Sequence, residues 1–346
     1  MRLGDFVTDY RTGEAVLRTP VQNAWFGAFL VMLVALPFVG GQYITFLGCL
    51  VGIHIIATTG LNITTGFTGL ISIGHAVLLG VGAYTVGWMA NNGVPFWLAI
   101  PSGALLAGAV GIVIGIPSLR IKGLYLAVST LAAQFVLSYI FREWESVTGG
   151  MRGISVPPAQ IGGFAFDSDF RVYFLIMPIA VAAVWASRNL FRTRVGRAFV
   201  AIRDRDLSAE VIGIDIMRYK LMSFALGALY AGLAGGLWAY FFRSITPESF
   251  PLQLGIFYLA AIIVGGLGST LGSIFGAIFM TLVPEVLRAL VNMAAIVSPA
   301  AVVYVSPLRE IVFGALIVGF LIFEPHGLAE IWRRIRRFFF LWPFRS

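Results

Sequence analysis

From Thr19 to Leu119 the chain carries no Asp, Glu, Lys or Arg, and it reads TPVQNAWFGAFLVMLVALPFVGGQYITFLGCLVGIHIIATTGLNITTGFTGLISIGHAVLLGVGAYTVGWMANNGVPFWLAIPSGALLAGAVGIVIGIPSL. A helix that crosses the hydrocarbon core of a bilayer needs about 20 mostly apolar residues. This stretch alone therefore has room for four or five crossings, and it predicts an all-α polytopic membrane protein.

The composition of the whole chain agrees with that prediction. Of the 346 residues, 59% are hydrophobic and only 12% are charged, and the mean hydropathy is +0.90. A soluble domain would carry about 25% charged residues. The apolar segments predict ten transmembrane helices, over 23–42, 44–63, 69–90, 96–117, 122–142, 171–188, 220–242, 252–268, 270–292 and 308–324.

The basic residues indicate the orientation of these spans. With the N-terminus in the cytoplasm, 18 of the 24 basic residues fall in cytoplasmic segments and six fall outside. Lys and Arg collect on the cytoplasmic side of membrane proteins, so both termini are predicted to be cytoplasmic. The net charge of +8 is thus explained by a membrane and does not indicate nucleic acid.

The chain divides into a cytoplasmic N-terminal segment (1–22), a membrane permease domain (23–328) and a basic, aromatic cytoplasmic tail (329–346). An outer loop is predicted over 143–170 and an inner loop over 189–219. In the tail, aromatic side chains stand beside a basic cluster, which predicts a helix at the headgroup boundary; the cluster is Arg333, Arg334, Arg336 and Arg337, and the aromatic residues are Trp332, Phe338, Phe339, Phe340 and Trp342.

Glycines recur at intervals of four within the spans. Small residues one turn apart let two helices approach closely in lipid. A packing role is therefore predicted for Gly232, Gly236, Gly268, Gly272 and Gly276.

Residues 58–75 combine four glycines with several hydroxyl side chains. Irregular backbone at membrane depth is tolerated against protein or a water-filled cavity, and broken segments often line substrate routes. One interpretation therefore places Asn62, Thr64, Thr65, Ser72 and His75 on a translocation path. The alternative is a cytoplasmic turn between the second and third spans. His54 and His75 are interpreted as hydrogen-bonded interior histidines or as proton relays.

The inner loop has a short segment with helical apolar spacing. From Asp206 onward, Leu207, Val211, Ile212 and Ile214 suit a short amphipathic helix, and Gly213 supplies a stop near its end. Such a helix suits a groove on a partner protein. The alternative interpretation is a solvated loop.

Motifs of catalysis are missing from the sequence. There is no Walker A sequence, no metalloprotease helix and no nucleophile elbow, and Cys49 is the only cysteine. No catalytic, cofactor-binding or metal-binding residue is predicted. The acidic residues lie in loops or at the ends of spans, which disfavours a proton-coupled secondary transporter.

The inner loop resembles the ATPase-contacting segment of the branched-chain amino acid permease family. The matching positions are Arg197, Ala201, Arg203, Asp204, Ala209, Glu210, Gly213 and Ile214, preceded by Gly196 and followed by Lys220. Further segments resemble the family in the same order along the chain, among them Gly60–Asn62, Ser72–Ala76, Gly80–Tyr84, Gly123–Ala127, Thr148–Gly150, Ala231–Leu237, Gly265–Gly268 and Phe323–Leu328. The likeness is strongest to the longer permease, the M subunit.

This resemblance implies a multi-pass subunit of an importer in the bacterial inner membrane. Such an importer has a second permease subunit, two cytoplasmic ATPases that use the ATP, and an extracytoplasmic solute-binding protein. The implied substrates are Leu, Ile and Val, whereas related systems carry urea, amides or other amino acids. A stand-alone secondary transporter is the other alternative.

Overall fold

In a computed structural model of the protein, the described residues are 20–121, 123–297, 311–312, 314–315, 317–320, 322–324 and 327–341. The predicted N-terminal segment lies outside them except for 20–22, as do the last five residues of the predicted tail. The predicted tenth span (308–324) is described only in part, and its described residues from 311 to 323 are helical.

The described elements are almost all helices. The α-helices are α1 (Pro20–Val39), α2 (Gly41–Leu61), α3 (His75–Asn91), α4 (Phe96–Gly115), α5 (Leu124–Glu143), α6 (Glu145–Thr148), α7 (Asp169–Leu190), α8 (Arg194–Val211), α9 (Ile216–Phe242), α10 (Leu252–Gly265), α11 (Thr270–Val297) and α12 (Leu328–Leu341). A π-helical segment covers Asn62–Phe67, and 3-10 turns cover Ile116–Leu119, Gly150–Arg152 and Pro247–Ser249. Four two-residue strands are β1 (Ile154–Ser155), β2 (Gln160–Ile161), β3 (Phe164–Ala165) and β4 (Ser244–Ile245).

The prediction of an all-α polytopic membrane protein is confirmed. Within the described part of the chain, seven helical segments are long and apolar enough to cross a membrane. They are Gly41–Phe67, Phe96–Gly115, Leu124–Glu143, Asp169–Leu190, Ile216–Phe242, Pro247–Gly265 and Thr270–Ala289. Helices α1 and α3 cover two further predicted spans, and the total of ten stays a prediction.

Two predicted boundaries are wrong, both next to the glycine-rich segment. The second span does not stop at 63, because the helix continues through the π-helical segment Asn62–Phe67. The third span does not begin at 69, since Thr68–Gly74 is not helical and α3 begins at His75. Gly69 has a φ of +76°, a backbone conformation that ends a right-handed helix and that glycine adopts without steric cost.

Helix α9 lies at the centre of the bundle, in contact with α2, α3 and α4. Its glycines make these contacts close: a Cβ at Gly232 would collide with the Cβ of Ala107 and approach the carbonyl oxygen of Gly103 to 2.8 Å. By contrast, α5 exposes large apolar side chains such as Leu124 (76%) and Tyr125 (78%). An exposed apolar face of this kind suits lipid or a membrane partner.

The two ends of α9 mark the two ends of the bundle, about 40 Å apart for 27 helical residues. After its last residue, β4 pairs in antiparallel fashion with β1 from the connection between α5 and α7. Before its first residue lies α8, which contacts the π-helical segment. The predicted outer loop and inner loop are therefore at opposite ends.

Candidate functional site

The segment between α2 and α3, residues 62–74, is largely buried and hydrogen-bonded to distant helices. We call it the break between α2 and α3. Asn62 uses both atoms of its amide group: Nδ2 donates to Ser269 O (2.8 Å) and to Ser273 Oγ (2.7 Å), while Oδ1 accepts from Gly268 N (2.9 Å). The side chain thereby joins the π-helical segment to the turn between α10 and α11.

The threonines of the break bond to α9 and to the break itself. Thr64 Oγ1 donates to Ser223 O (3.2 Å), and Thr68 Oγ1 lies 2.8 Å from Ser223 Oγ. Thr65 Oγ1 donates to Leu70 O (3.1 Å), within the non-helical stretch. These hydroxyls therefore join the π-helical segment and the non-helical residues after it to α9 and to each other.

Ser72 and His75 lie at the end of the break and are both buried. His75 Nε2 is 2.9 Å from Ala57 O, which is the contact expected of a hydrogen-bonded interior histidine. His54 differs, because its Nδ1 is buried without a hydrogen-bond partner among the described residues. The ring of Tyr258 lies next to both histidines.

The predicted inner loop is largely helical. Helix α8 begins at Arg194, earlier than predicted, and its backbone breaks at Arg205, where φ is −157° and ψ is 102°. Before Arg205, Phe199 and Ile202 are buried. A Cβ at Gly196 would collide with the backbone of Phe191, just before α8, and the burial of Phe199 and Ile202 shows that this half of α8 is packed against the rest of the protein.

After Arg205, the end of α8 and the residue that follows the helix expose large apolar side chains. Leu207 is 69% exposed, Val211 is 87% exposed and Ile212 is 73% exposed. The helix ends at Val211, and the predicted stop, Gly213, follows two residues later with a φ of +89° and an N–H that donates to Glu210 O (2.9 Å). We call residues 206–212 the exposed half of α8.

Arg203 joins the two predicted sites. Its Nη1 donates to Gly66 O (3.0 Å), and its Nε and Nη2 donate to Asp204 Oδ1 (3.2 Å each). The same guanidinium lies against Gly268, where a Cβ would approach Nη1 to 2.5 Å. One side chain of α8 thus touches both the π-helical segment and the turn that Asn62 holds.

The other predicted residues lie along α8 or just beyond its end. Arg197 Nη1 donates to Arg192 O (3.0 Å), Ala209 is buried and Glu210 is exposed. Ala201 is half-buried, and Ile214 N donates to Ala209 O (3.0 Å) beyond the helix end.

The predicted packing glycines fall into two groups. Gly232 of α9 faces α4, Gly236 of α9 faces Val86 of α3 and Ile100 of α4, and Gly272 and Gly276 of α11 face the backbone of α10. Gly268 differs from the prediction, because it lies in the turn before α11 with a φ of +71°. Its lack of a side chain makes room for the Arg203 guanidinium.

Sequence patterns did not reveal the hydrogen-bond partners of the break between α2 and α3. Ser223, Ser269 and Ser273 are separated from their partners by 155 to 211 residues, and Tyr258 lies within an ordinary apolar helix. Only a contact map between helices could have identified them.

The sequence matches a known family over most of its length. The sequence model described as "Branched-chain amino acid transport system / permease component" matches residues 43–321. The chain is 30% identical to the high-affinity branched-chain amino acid transport system permease protein LivM of Escherichia coli (strain K12), over 91% of this chain and 76% of the relative.

More distant relatives include two other permeases. The LivH permease protein of Salmonella typhimurium, from a high-affinity branched-chain amino acid transport system, is 24% identical over 64% of this chain and 77% of the relative. The autoinducer 2 import system permease protein LsrC of an Enterobacter species is 27% identical over 63% of each chain. No solved structure matches the chain.

Proposed function

Since the chain belongs to the family of branched-chain amino acid transport permease components, we propose that it is the LivM-like membrane subunit of an ATP-binding-cassette importer for branched-chain amino acids. It is a transport subunit and not an enzyme. The match to LivM over 91% of the chain carries this proposal. The LsrC likeness is shorter, so import of another small solute is the second candidate.

The proposed assembly supplies what this chain lacks. A LivH-like permease is the proposed second membrane subunit, as both LivM and LivH proteins are relatives. Two cytoplasmic ATPases would hydrolyse the ATP, so this chain needs no cofactor of its own. An extracytoplasmic solute-binding protein would deliver the substrate at the end of the bundle where β1 pairs with β4.

The proposed topology has ten spans, with both termini in the cytoplasm of a bacterial inner membrane. The contact of Arg203 with Gly66 and Gly268 supports this topology. It brings together the connections α2–α3, α7–α9 and α10–α11, all of which this topology assigns to the cytoplasmic side. The pairing of β1 with β4 supports the topology in the same way. It joins the α5–α7 and α9–α10 connections, both of which this topology assigns to the outside.

We propose that the exposed half of α8 docks on an ATPase. Leu207, Val211 and Ile212 are largely exposed, whereas the preceding half of the helix is packed against the bundle. Exposed apolar side chains on a rigid helix suit a groove on a partner. In this arrangement Arg203 carries movement of α8 to the π-helical segment.

The break between α2 and α3 is the proposed wall of the translocation path at its inner end. Asn62, Thr64 and Thr65 hold its backbone through the hydrogen bonds described above, while Ser72 and His75 continue the wall toward α3. Irregular backbone at this depth can rearrange more readily than a continuous helix, because it is not locked by a regular hydrogen-bond ladder.

Reconstitution tests the proposed function. Proteoliposomes with this chain, the second permease, both ATPases and a leucine-loaded binding protein should accumulate leucine only when ATP is on the cytoplasmic side. This chain alone should accumulate none, with or without a proton or sodium gradient. Accumulation by the isolated chain under such a gradient would instead establish a secondary transporter.

A further inference from the structure

Two buried polar atoms, one on α2 and one on α10, have no hydrogen-bond partner among the described residues. They are His54 Nδ1 and the hydroxyl oxygen of Tyr258. His54 is 7% exposed and Tyr258 is 0% exposed, and their ring centroids are 5.5 Å apart. The two atoms belong to helices that are distant in sequence, yet their rings are in contact.

Such atoms are unusual in a folded protein, because a buried polar group without a partner costs about 1–3 kcal/mol. Two other buried tyrosines of this chain avoid that cost. Tyr230 OH donates to Ala183 O (2.8 Å) and Tyr173 OH donates to Leu33 O (2.8 Å). A bound molecule with a hydrogen-bond donor and an acceptor would supply the partners that His54 Nδ1 and the Tyr258 hydroxyl lack.

The surroundings limit the chemistry of that molecule. Two more aromatic rings pack near His54: the centroid of Phe257 is 5.1 Å and that of Trp238 is 6.1 Å from the centroid of its ring. Helices α2, α3 and α10 contain no Asp, Glu, Lys or Arg, and α9 contains none after Lys220. A solute with a net charge would leave that charge unpaired here, at a large desolvation cost.

We propose that His54 and Tyr258 form a binding site for a net-neutral aliphatic α-amino acid as it crosses the membrane. This inference rests on the proposed function and adds a recognition point within the membrane subunit itself. The Tyr258 hydroxyl donates to the carboxylate, and His54 Nδ1 accepts from the ammonium group. The rings of Trp238 and Phe257 pack against the aliphatic side chain, and their faces also attract the ammonium group.

A matched pair of variants tests this site in the complete importer. Tyr258→Phe removes the hydroxyl and keeps the ring. Tyr84→Phe is the control, because Tyr84 OH is also buried without a partner but packs on Phe141 and Phe250. Leucine uptake and ATP hydrolysis are measured together in proteoliposomes with saturating loaded binding protein.

The expected result is a change in coupling. Tyr258→Phe should lower the leucine transported per ATP hydrolysed by about tenfold, the value of one hydrogen bond to a charged group. ATP hydrolysis stimulated by the binding protein should stay near wild type, and Tyr84→Phe should change neither quantity. If Tyr258→Phe leaves uptake unchanged, or lowers uptake and hydrolysis in parallel, the site is overturned.

Photolabelling supplies a measurement that needs no variant. A diazirine analogue of leucine, delivered by the binding protein during turnover, should label the α2 peptide with His54 or the α10 peptide with Tyr258. Labelling confined to other helices would overturn the site. Failure of the wild-type complex to import any branched-chain amino acid would refute the proposed function, which is a separate outcome.

Discussion

The guanidinium of Arg203 donates a 3.0 Å hydrogen bond to the carbonyl oxygen of Gly66, across 137 residues of sequence. This contact joins the helix that carries the exposed apolar side chains to the π-helical end of α2. The Gly66 carbonyl belongs to a π-helical turn, and a bond from a charged donor stabilises such a group more than a neutral one.

Replacement of Arg203 should therefore disconnect α8 from the membrane helices. We expect Arg203→Ala to lower binding-protein-stimulated ATP hydrolysis and uptake by about tenfold, since one charge-assisted bond contributes about 1.5–3 kcal/mol. The control is Arg205→Ala, at the exposed break in α8, which should retain most activity. Equal losses in both variants would show that Arg203 acts only through the charge of the segment.

The exposed half of α8 should contribute to ATPase binding and little to folding. The double variant Leu207→Ser/Val211→Ser removes two exposed apolar side chains, so the melting temperature of the permease should change little. Co-purification of the ATPases should fall several-fold. Met151→Ser/Ile161→Ser is the control, because these side chains are also exposed but lie at the other end of the bundle. Normal ATPase co-purification by the α8 variant would contradict the docking proposal.

Asn62 should be important for stability. Asn62→Ala removes three hydrogen bonds and leaves Gly268 N and Ser273 Oγ without that partner, which we expect to cost about 2–4 kcal/mol. The thermal midpoint of the detergent-solubilised protein should fall clearly below that of Asn91→Ala. Asn91 makes one exposed bond, to Ser155 O (2.9 Å). Equal midpoints for the two variants would mean that the hydrogen bonds of Asn62 do not stabilise the protein.

The topology can be checked by cysteine labelling in a Cys49→Ala background. Ser155→Cys lies in β1 and Ser208→Cys lies in the exposed half of α8, and both residues are exposed. A membrane-impermeant maleimide should label Ser155→Cys in intact cells and Ser208→Cys only after the membrane is opened. Labelling of both from the same side would exclude the ten-span arrangement.

Much of the membrane architecture was predictable, because it depends on local composition. The charge-free residues 19–119 were sufficient to predict a polytopic helical protein, and the end of α8 close to Gly213 followed from glycine's backbone freedom. The start of α3 was predicted wrongly, since Thr68–Gly74 is as apolar as a span. Its departure from helix depends on hydrogen bonds to α9 and on the positive φ of Gly69.

By itself, the sequence determined the membrane class, the family and the approximate limits of most described spans. Apolar segments have one way to satisfy their backbone in lipid, which is to form helices, so local patterns suffice for these properties. Tertiary structure alone decided that Asn62 bonds to Ser273, that Arg203 reaches Gly66 and that His54 faces Tyr258. Each of these pairs depends on how two helices are rotated and how closely they approach. Those quantities are set by packing across the whole bundle, including the glycine contacts of α9 with α4, and no local stretch of sequence contains them.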